Sequence, residues 1–331
     1  MSDLAPLVDR FSGLRVAVWG DFILDEYVYG FTRRISREAP VLILSYQRRE
    51  FSLGGAGNAA LNLAALGVRV TAVGVTGADS AGRTVRRILR RHGVSDTALF
   101  SDRSFATPLK TRILAGEENT KKQQILRLDR DGAVPEDGPL RAKMRRALAR
   151  AARTCDALLI SDYHFRTVDE DLFRTAGSAF RAAGRPVTLD SRFRLARFPG
   201  VTIATPNEPE VEQALNIHLG DDSSALTRAG RRLLKMLRSP ALLITRGSKG
   251  MALFERSKRP YFIPVQGPTD IVDVTGAGDT VISVFTAALA AGATFRQATR
   301  LANHAGGLVV MKKGTATVTS GELKRAVASD R

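Results

Sequence analysis

The chain has 331 residues, 44% of them hydrophobic, with 50 Lys and Arg against 33 Asp and Glu for a net charge of +17. That is enough for one large α/β domain or two ordinary ones, while no apolar run approaches the roughly 20 residues that span a bilayer. A single cysteine excludes an internal disulfide, and an aromatic share of 6% that does not interleave with the basic charge argues against a single-strand nucleic-acid surface.

The basic residues fall in groups such as Arg86, Arg87, Arg90 and Arg91, and again Arg228, Arg231 and Arg232, at helical spacing beside Ala and Leu. They read as solvated helix faces with a general preference for anions. Met1-Ser2-Asp3-Leu4-Ala5-Pro6 lacks the basic-then-apolar order of a signal peptide, so a soluble, cytoplasmic protein is expected. Cys155, in Cys155-Asp156-Ala157-Leu158-Leu159-Ile160, reads as an inert core thiol. His92, His164, His218 and His304 offer no zinc spacing.

Leu14-Arg15-Val16-Ala17-Val18-Trp19 is a buried-strand run ending at Gly20-Asp21, and α/β proteins place ligands at such strand ends, which singles out Asp21 and Asp25. Residues 27–31 and 41–46 are rich in β-branched and aromatic side chains and predict extended strands. Leu53-Gly54-Gly55-Ala56-Gly57-Asn58 then opens a small-residue helix that stops at Gly67. Gly55, Gly57 and Ala60 satisfy G-x-G-x-x-A, but residues 47–52 before them are not the apolar strand of a dinucleotide fold. After a strand over 68–75, Gly77-Ala78-Asp79-Ser80-Ala81-Gly82-Arg83-Thr84 has Arg83 where a P-loop needs Lys, so it reads as an ordinary strand-to-helix turn.

Residues 108–114 and 124–129 alternate as a hairpin with one charged face across the polar bridge 116–122. From residue 137 onward helical patterns alternate with short apolar strands at 157–161, 186–190, 202–205 and 241–245, which predicts a mainly parallel sheet with helices on both faces. The expected organisation is one domain over 1–331 carrying a small β lid built from about 26–52 and 104–129. The strand ends carry Ser161-Asp162, Asp190-Ser191-Arg192, Asn207-Glu208-Pro209-Glu210 and Thr245-Arg246-Gly247. Asn207 and Glu210 can face one site and hold a metal-bound nucleotide through water, or each can serve as a helix cap.

Asp273-Val274-Thr275-Gly276-Ala277-Gly278-Asp279-Thr280 runs straight into the apolar segment 281–290. Glycines ahead of a helix leave N–H groups open toward an anion at the positive end of the dipole. Asp279 on the first turn would stand beside a bound phosphate, where a carboxylate is suited to take a proton from an attacking hydroxyl. The plainer reading of these eight residues is a Gly-rich turn capped by Asp.

Gly54-Gly55-Ala56-Gly57-Asn58, Asn207-Glu208-Pro209-Glu210 and Asp273 to Asp279, in that order and across nearly the whole chain, resemble the signatures of the ribokinase-like (PfkB) carbohydrate kinases. Within that family, residues 21–30 and 34–41, together with Lys110-Thr111-Arg112, Ser161-Asp162-Tyr163 and Lys313-Gly314-Thr315-Ala316-Thr317-Val318, resemble the D-glycero-β-D-manno-heptose 7-phosphate kinases. The resemblance implies a three-layer α/β/α sandwich with a β-sheet lid, and synthesis of heptose 1,7-bisphosphate for the lipopolysaccharide core. It is often fused to an adenylyltransferase, for which this chain is expected to be too short. The sequence departs from the heptose kinase pattern at His164-Phe165-Arg166, where Ala-Lys-Gly is expected, at Ser191-Arg192, where Pro-Lys is expected, and in extra length at 117–122.

By that resemblance, Asp25, Gly54, Gly55 and Asn58, with Asp21 as a helper, would bind sugar hydroxyls. Lys110, Arg112 and Arg34 would face the phosphate the sugar already carries. Asp279 would be the base, with the N–H groups of Gly276, Ala277 and Gly278 on the transferring phosphoryl group. Asn207 and Glu210 would hold Mg²⁺ and phosphates through water; Thr245, Gly247, Gly250 and Asn303 would line the ATP site. Asp273 and Thr275 are the positions for a monovalent cation, K⁺, where one is bound. Expected partners are a sugar phosphate and ATP, with no nucleic acid and no membrane, and a homodimer through the lid. The competing readings are a kinase of the same family for another sugar or nucleoside, a nucleic-acid-binding protein suggested by the charge, and a nicotinamide enzyme.

Overall fold

The computed structural model describes residues 4–117, 122–135, 138–266 and 272–329. The strands are β1 Arg15–Gly20, β2 Phe22–Ile35, β3 Leu42–Gly55, β4 Arg69–Gly77, β5 Ser95–Asp102, β6 Leu109–Gly116, β7 Gln123–Arg130, β8 Ala157–Asp162, β9 Val187–Ser191, β10 Ile203–Ala204, β11 Ala241–Thr245, β12 Met251–Glu255 and β13 Tyr261–Ile263. The α-helices are α1 Ala5–Asp9, α2 Ala56–Ala65, α3 Ser80–Arg91, α4 Pro139–Thr154, α5 Glu170–Ala182, α6 Glu208–Leu215, α7 Ser223–Leu237, α8 Ala277–Ala290, α9 Phe295–Val309 and α10 Ser320–Ala328.

The large sheet runs β13-β12-β11-β10-β9-β8-β1-β4-β5. It is parallel from β5 to β11, and β12 and β13 add an antiparallel edge. Its central strands are apolar on both faces, and the period of two sends alternate residues to different cores. Val16 and Val18 join the core packed by α1, α2, α3, α8, α9 and α10; Ala17 and Trp19 join the one packed by α4 to α7. Each fully buried Leu, Val or Phe contributes about 1.5–3 kcal/mol, so neither face can be left uncovered. No described helix is long and apolar enough to cross a membrane.

The smaller sheet has the order β3-β2-β6-β7. It grows from the carboxyl edge of the large one: only Asp21 separates β1 from β2, and β3 ends at Gly55 where α2 begins. Residues 47–52 lie within β3, largely solvated, as part of this sheet and not of a buried central strand. β5 and the β12–β13 edge had no counterpart among the expected strands, because Ser95-Asp96-Thr97 and the turn at 256–260 are polar enough to hide them. Gly77-Ala78-Asp79 is a strand-to-helix turn as read, with the Asp79 side chain accepting from the Gly82 N–H at the start of α3. The extra length at 117–122 falls mostly on residues 118–121, which lie outside the described residues.

Candidate active site

Local chemistry accounts for the start of α8. Gly276 precedes it at φ +78°, in the left-handed region that only glycine enters freely. A Cβ there would stand 2.4 Å from Nδ2 of Asn58, so space as well as backbone demands glycine. The Ala277 N–H is spent on the Val274 carbonyl at 3.2 Å, which leaves Gly276 and Gly278 as the glycine-loop donors that can face an anion. Asp279 lies in the first turn of the helix and is 4% exposed.

Among the described residues, hydrogen bonds and not an ion pair hold the Asp279 carboxylate. Asn58 Nδ2 donates to Oδ2 at 2.8 Å and the Tyr163 hydroxyl to Oδ1 at 3.5 Å. Burial pushes its carboxyl up to about 7, helped by the Asp25 carboxylate and opposed by Asn58, Arg192 and Tyr163. A carboxyl that titrates near neutrality follows from burying it with few compensating charges.

Asn58 is oriented by a buried polar network. Asn62 Nδ2 donates to Asn58 Oδ1 at 3.2 Å and to its carbonyl at 3.1 Å, and Thr280 Oγ1 donates to Asn62 Oδ1 at 3.0 Å. Ser283 Oγ adds a bond to the Ala59 carbonyl at 3.1 Å. The network joins α2 to α8 and sets which end of the Asn58 amide meets Asp279. Asn58 is fully buried and stands behind the Asp279 carboxylate, so it holds Asp279 where the sequence pattern suggested contact with sugar.

Asp279 opens into a cleft of about 670 Å³ between the two sheets, shared with Asp25, Gly54, Gly55, Lys110, Arg112 and Gly276. The cations of this cleft are partly engaged. Arg112 Nη1 meets Asp25 Oδ1 at 2.5 Å, Lys110 Nζ meets Asp129 Oδ2 at 3.5 Å, and Arg127 Nε meets Asp129 Oδ1 at 2.9 Å. Arg112 and Arg127 are directly opposed across β6 and β7, which puts both on one face. Burial still raises the Asp25 carboxyl despite Arg112.

Two expected sugar-site residues lie elsewhere. Arg34 sits on the exposed outer part of β2 and does not line the cleft. Asp21 is 1% exposed and accepts N–H groups from Tyr163, Phe165 and Thr167 at 2.8, 3.2 and 3.3 Å, which makes it a support for the loop after β8. Burial, with Asp162 nearby, pushes its carboxyl up to about 6.

The expected nucleotide residues form a contiguous rim beyond β11. Asn207 bridges to Thr245, and Arg246 donates to the Gly250 carbonyl at 2.9 Å. Gly247 begins a short 3₁₀ turn after Thr245, and Asn303 Nδ2 donates to the Pro264 carbonyl at 2.8 Å. Asn207 and Glu210 cap α6 reciprocally, with Asn207 Oδ1 accepting from the Glu210 N–H at 2.8 Å and Glu210 Oε2 from the Asn207 N–H at 2.9 Å. The cap is the reading the structure shows, and it leaves the second carboxylate oxygen of Glu210 uncommitted to the cap. Asp273 Oδ1 accepts from the Thr275 N–H at 2.9 Å and Oδ2 from the Gly314 N–H at 3.0 Å, closing the loop beside Gly276.

Tyr163, Asp190, Arg192 and Arg127 had been given no role. Tyr163, Asp190 and Arg192 stand at or just past the ends of β8 and β9; Asp190 and Arg192 were among the polar strand-end residues, and the same rule reaches Tyr163, one residue past β8. The Arg192 guanidinium lies 5.0 Å over the Tyr163 ring. Burial raises the Asp190 carboxyl well above its ordinary value, with Glu210 and Asp279 adding to the rise. Arg127 could be found only from the register of β6 and β7.

Comparison with known proteins identifies relatives over nearly the whole chain. The bifunctional protein HldE of Nitrosococcus oceani is 41% identical over 320 residues, 96% of this chain and 65% of the relative. HldE of Desulfatibacillum aliphaticivorans is 38% identical over 322 residues, 96% of this chain and 64% of the relative, so the chain spans just under two thirds of these proteins. Among solved structures, Arabidopsis thaliana ribokinase complexed with ribose and ATP superposes with a TM-score of 0.75 at 22% identity, covering 95% of this chain and 98% of that one. Escherichia coli phosphofructokinase-2 in complex with potassium gives 0.73 at 19%, covering 96% and 99%. The fold is thus ribokinase-like, and with the pfkB family carbohydrate kinase model matching residues 14–320, the chain belongs to that family of sugar kinases.

Proposed function

We propose that this protein transfers the γ-phosphoryl group of ATP to the anomeric hydroxyl of D-glycero-β-D-manno-heptose 7-phosphate in the cytoplasm. The observation that carries the reading is the sharing of one cleft by a near-neutral base, Asp279, and the cations of the smaller sheet, Lys110, Arg112 and Arg127. Similarity to the bifunctional protein HldE over 96% of this chain supports the heptose. Asp279 takes the proton of the attacking hydroxyl, and the N–H groups of Gly276 and Gly278 meet the charge on the transferring group. Asp25, Gly54 and Gly55 hold the sugar hydroxyls. A second phosphate, already on the sugar, draws Lys110 and Arg127 away from Asp129 and is gripped by their charge with that of Arg112.

No group of three or more His, Cys, Asp or Glu among the described residues is arranged to hold a metal directly. Asp190 and Glu210 nonetheless fit a hydrated Mg²⁺. Both carboxyls are raised by burial and Asp190 further by Glu210, the mark of gathered negative charge that a divalent cation relieves. The ion neutralises phosphate charge when bound. Asp273 and Thr275 are proposed for K⁺.

The smaller sheet is proposed to close over the sugar and to pair with a second copy. Its outer positions expose Ile35 at 65%, Tyr46 at 66% and Leu128 at 65%, an apolar set that an isolated sheet leaves in water. Sedimentation velocity should show a two-chain species that Tyr46→Asp with Leu128→Asp converts to one chain; an unaltered monomer ends the dimer proposal.

The direct test is ADP release with a panel of acceptors. The heptose 7-phosphate should outrun unphosphorylated heptose, ribose and fructose, and Lys110→Gln, which leaves the Arg112–Asp25 pair in place, should weaken the phosphorylated acceptor selectively. Faster turnover of an unphosphorylated sugar would reassign the substrate.

A further inference from the structure

Two loops put aromatic side chains into the cleft, and phosphoryl transfer as described has no use for them. His164 and Phe165 follow β8, Phe193 follows β9, and all three line the space that Asp279 faces. Phe193 is 56% exposed, and its ring meets that of His164 edge to face, with centroids 6.1 Å apart and planes at 67°. An exposed ring on the wall of this cleft is a surface that a ligand with an apolar face covers better than water does.

Both loops are held in place from beneath by buried aspartates. The first is strained: His164 and Arg166 have φ of +71° and +66°, a region that side chains other than glycine enter at a cost. Asp21 over-determines it through the N–H groups of Tyr163, Phe165 and Thr167, while its own N–H and carbonyl are bonded to Ser161 and Ala56. The second loop is tied to Asp162, which accepts from Ser191 Oγ at 2.7 Å and Arg194 Nη2 at 2.6 Å, and whose carbonyl accepts the Arg192 N–H at 3.1 Å. Strain kept at a cleft by so many bonds points to a function for what the loop displays. These are also the loops where the sequence leaves the heptose kinase pattern.

We infer that Phe193, braced by His164, is the specificity wall for the acceptor: the sugar lays the C–H face of its ring on Phe193, with Asp21 and Asp162 as positioning residues beneath. The inference rests on the sugar-kinase reading and adds to it a selection rule. Acceptors with an uninterrupted C–H face on one side of a six-membered ring are favoured; those with a hydroxyl projecting from that face are rejected.

Steady-state kinetics of ADP release with the best acceptor tests this. Phe193→Gly should raise the acceptor KM by about 3- to 10-fold while the KM for ATP and kcat stay largely unchanged. Phe193→Trp should keep the parent KM and Phe193→Leu should not, because area without a π-face does not replace stacking. His164→Gly removes the brace and relieves the strain together, so the acceptor KM should rise while Tm does not fall. An acceptor KM unmoved by Phe193→Gly, or fully restored by Leu, overturns the wall and leaves the kinase standing. No sugar-dependent ADP release by the unaltered protein overturns both.

Discussion

Asp279→Asn should lower sugar-dependent ADP release by about 10²–10⁴-fold while leaving ATP binding largely intact. Asparagine keeps the shape of the side chain and can still accept from Asn58 Nδ2, which sits 2.8 Å from the carboxylate, so the network between α2 and α8 survives. What disappears is the proton acceptor. The pH dependence should follow the same group. Burial pushes the Asp279 carboxyl from 3.8 up to about 7, and a base works only when ionised, so kcat/KM of the parent should rise through about pH 7 and then level off. The sign for stability is opposite. Between its unfolded and folded values the carboxyl is protonated in the fold and ionised in the unfolded chain, so raising the pH from about 4 to about 7 removes stability, with no further loss above. Asp21, pushed up to about 6, acts in the same direction and is present in both proteins. Thermal unfolding across that window should therefore show Asp279→Asn gaining on the parent as pH rises. Full activity in the variant, or a rate profile flat through neutrality, would take Asp279 out of the chemistry.

What could be read before the structure was the part written in local chemistry. Val16 to Trp19, Leu158 to Ile160 and Leu242 to Ile244 are apolar on both faces, and only a central parallel strand needs that. The glycines before α8 and the acid on its first turn predict an anion site for equally local reasons. The chain reaches its other functional contacts through pairings that no short window contains. Asn58 meets Asp279 across 221 positions, and Tyr163 meets it across 116. Asn58 therefore looks like a sugar ligand in its motif and acts as a support in the fold. The same holds for Asp21, whose place at a strand end suggested a ligand and whose three backbone bonds make it a brace. Arg34 failed differently: alternation along β2 is legible, but how far the sheet extends past the cleft is not.

Gly276→Ala is the second substitution expected to have a large effect, about 10²-fold in rate, through geometry alone. The residue is at φ +78°, where a Cβ costs about 1–2 kcal/mol in backbone energy. Its new methyl would also lie 2.4 Å from Asn58 Nδ2, and the amide cannot stay there and still donate to Asp279. Gly278 provides the contrast. It lies one residue before the base, with open space where a Cβ would go, so Gly278→Ala should leave the fold and the Asn58 bond intact. Any loss in that variant reports the approach of the phosphoryl group to the loop. The two causes in Gly276→Ala can be separated with Asn58→Ala, which removes the atom that the methyl strikes. If displacement of Asn58 carries most of the loss, the double variant should be hardly worse than Asn58→Ala alone, a strongly non-additive result for residues in contact. Fully additive losses would mean that the Asn58 bond does not position Asp279, and that the glycine is required only for the turn.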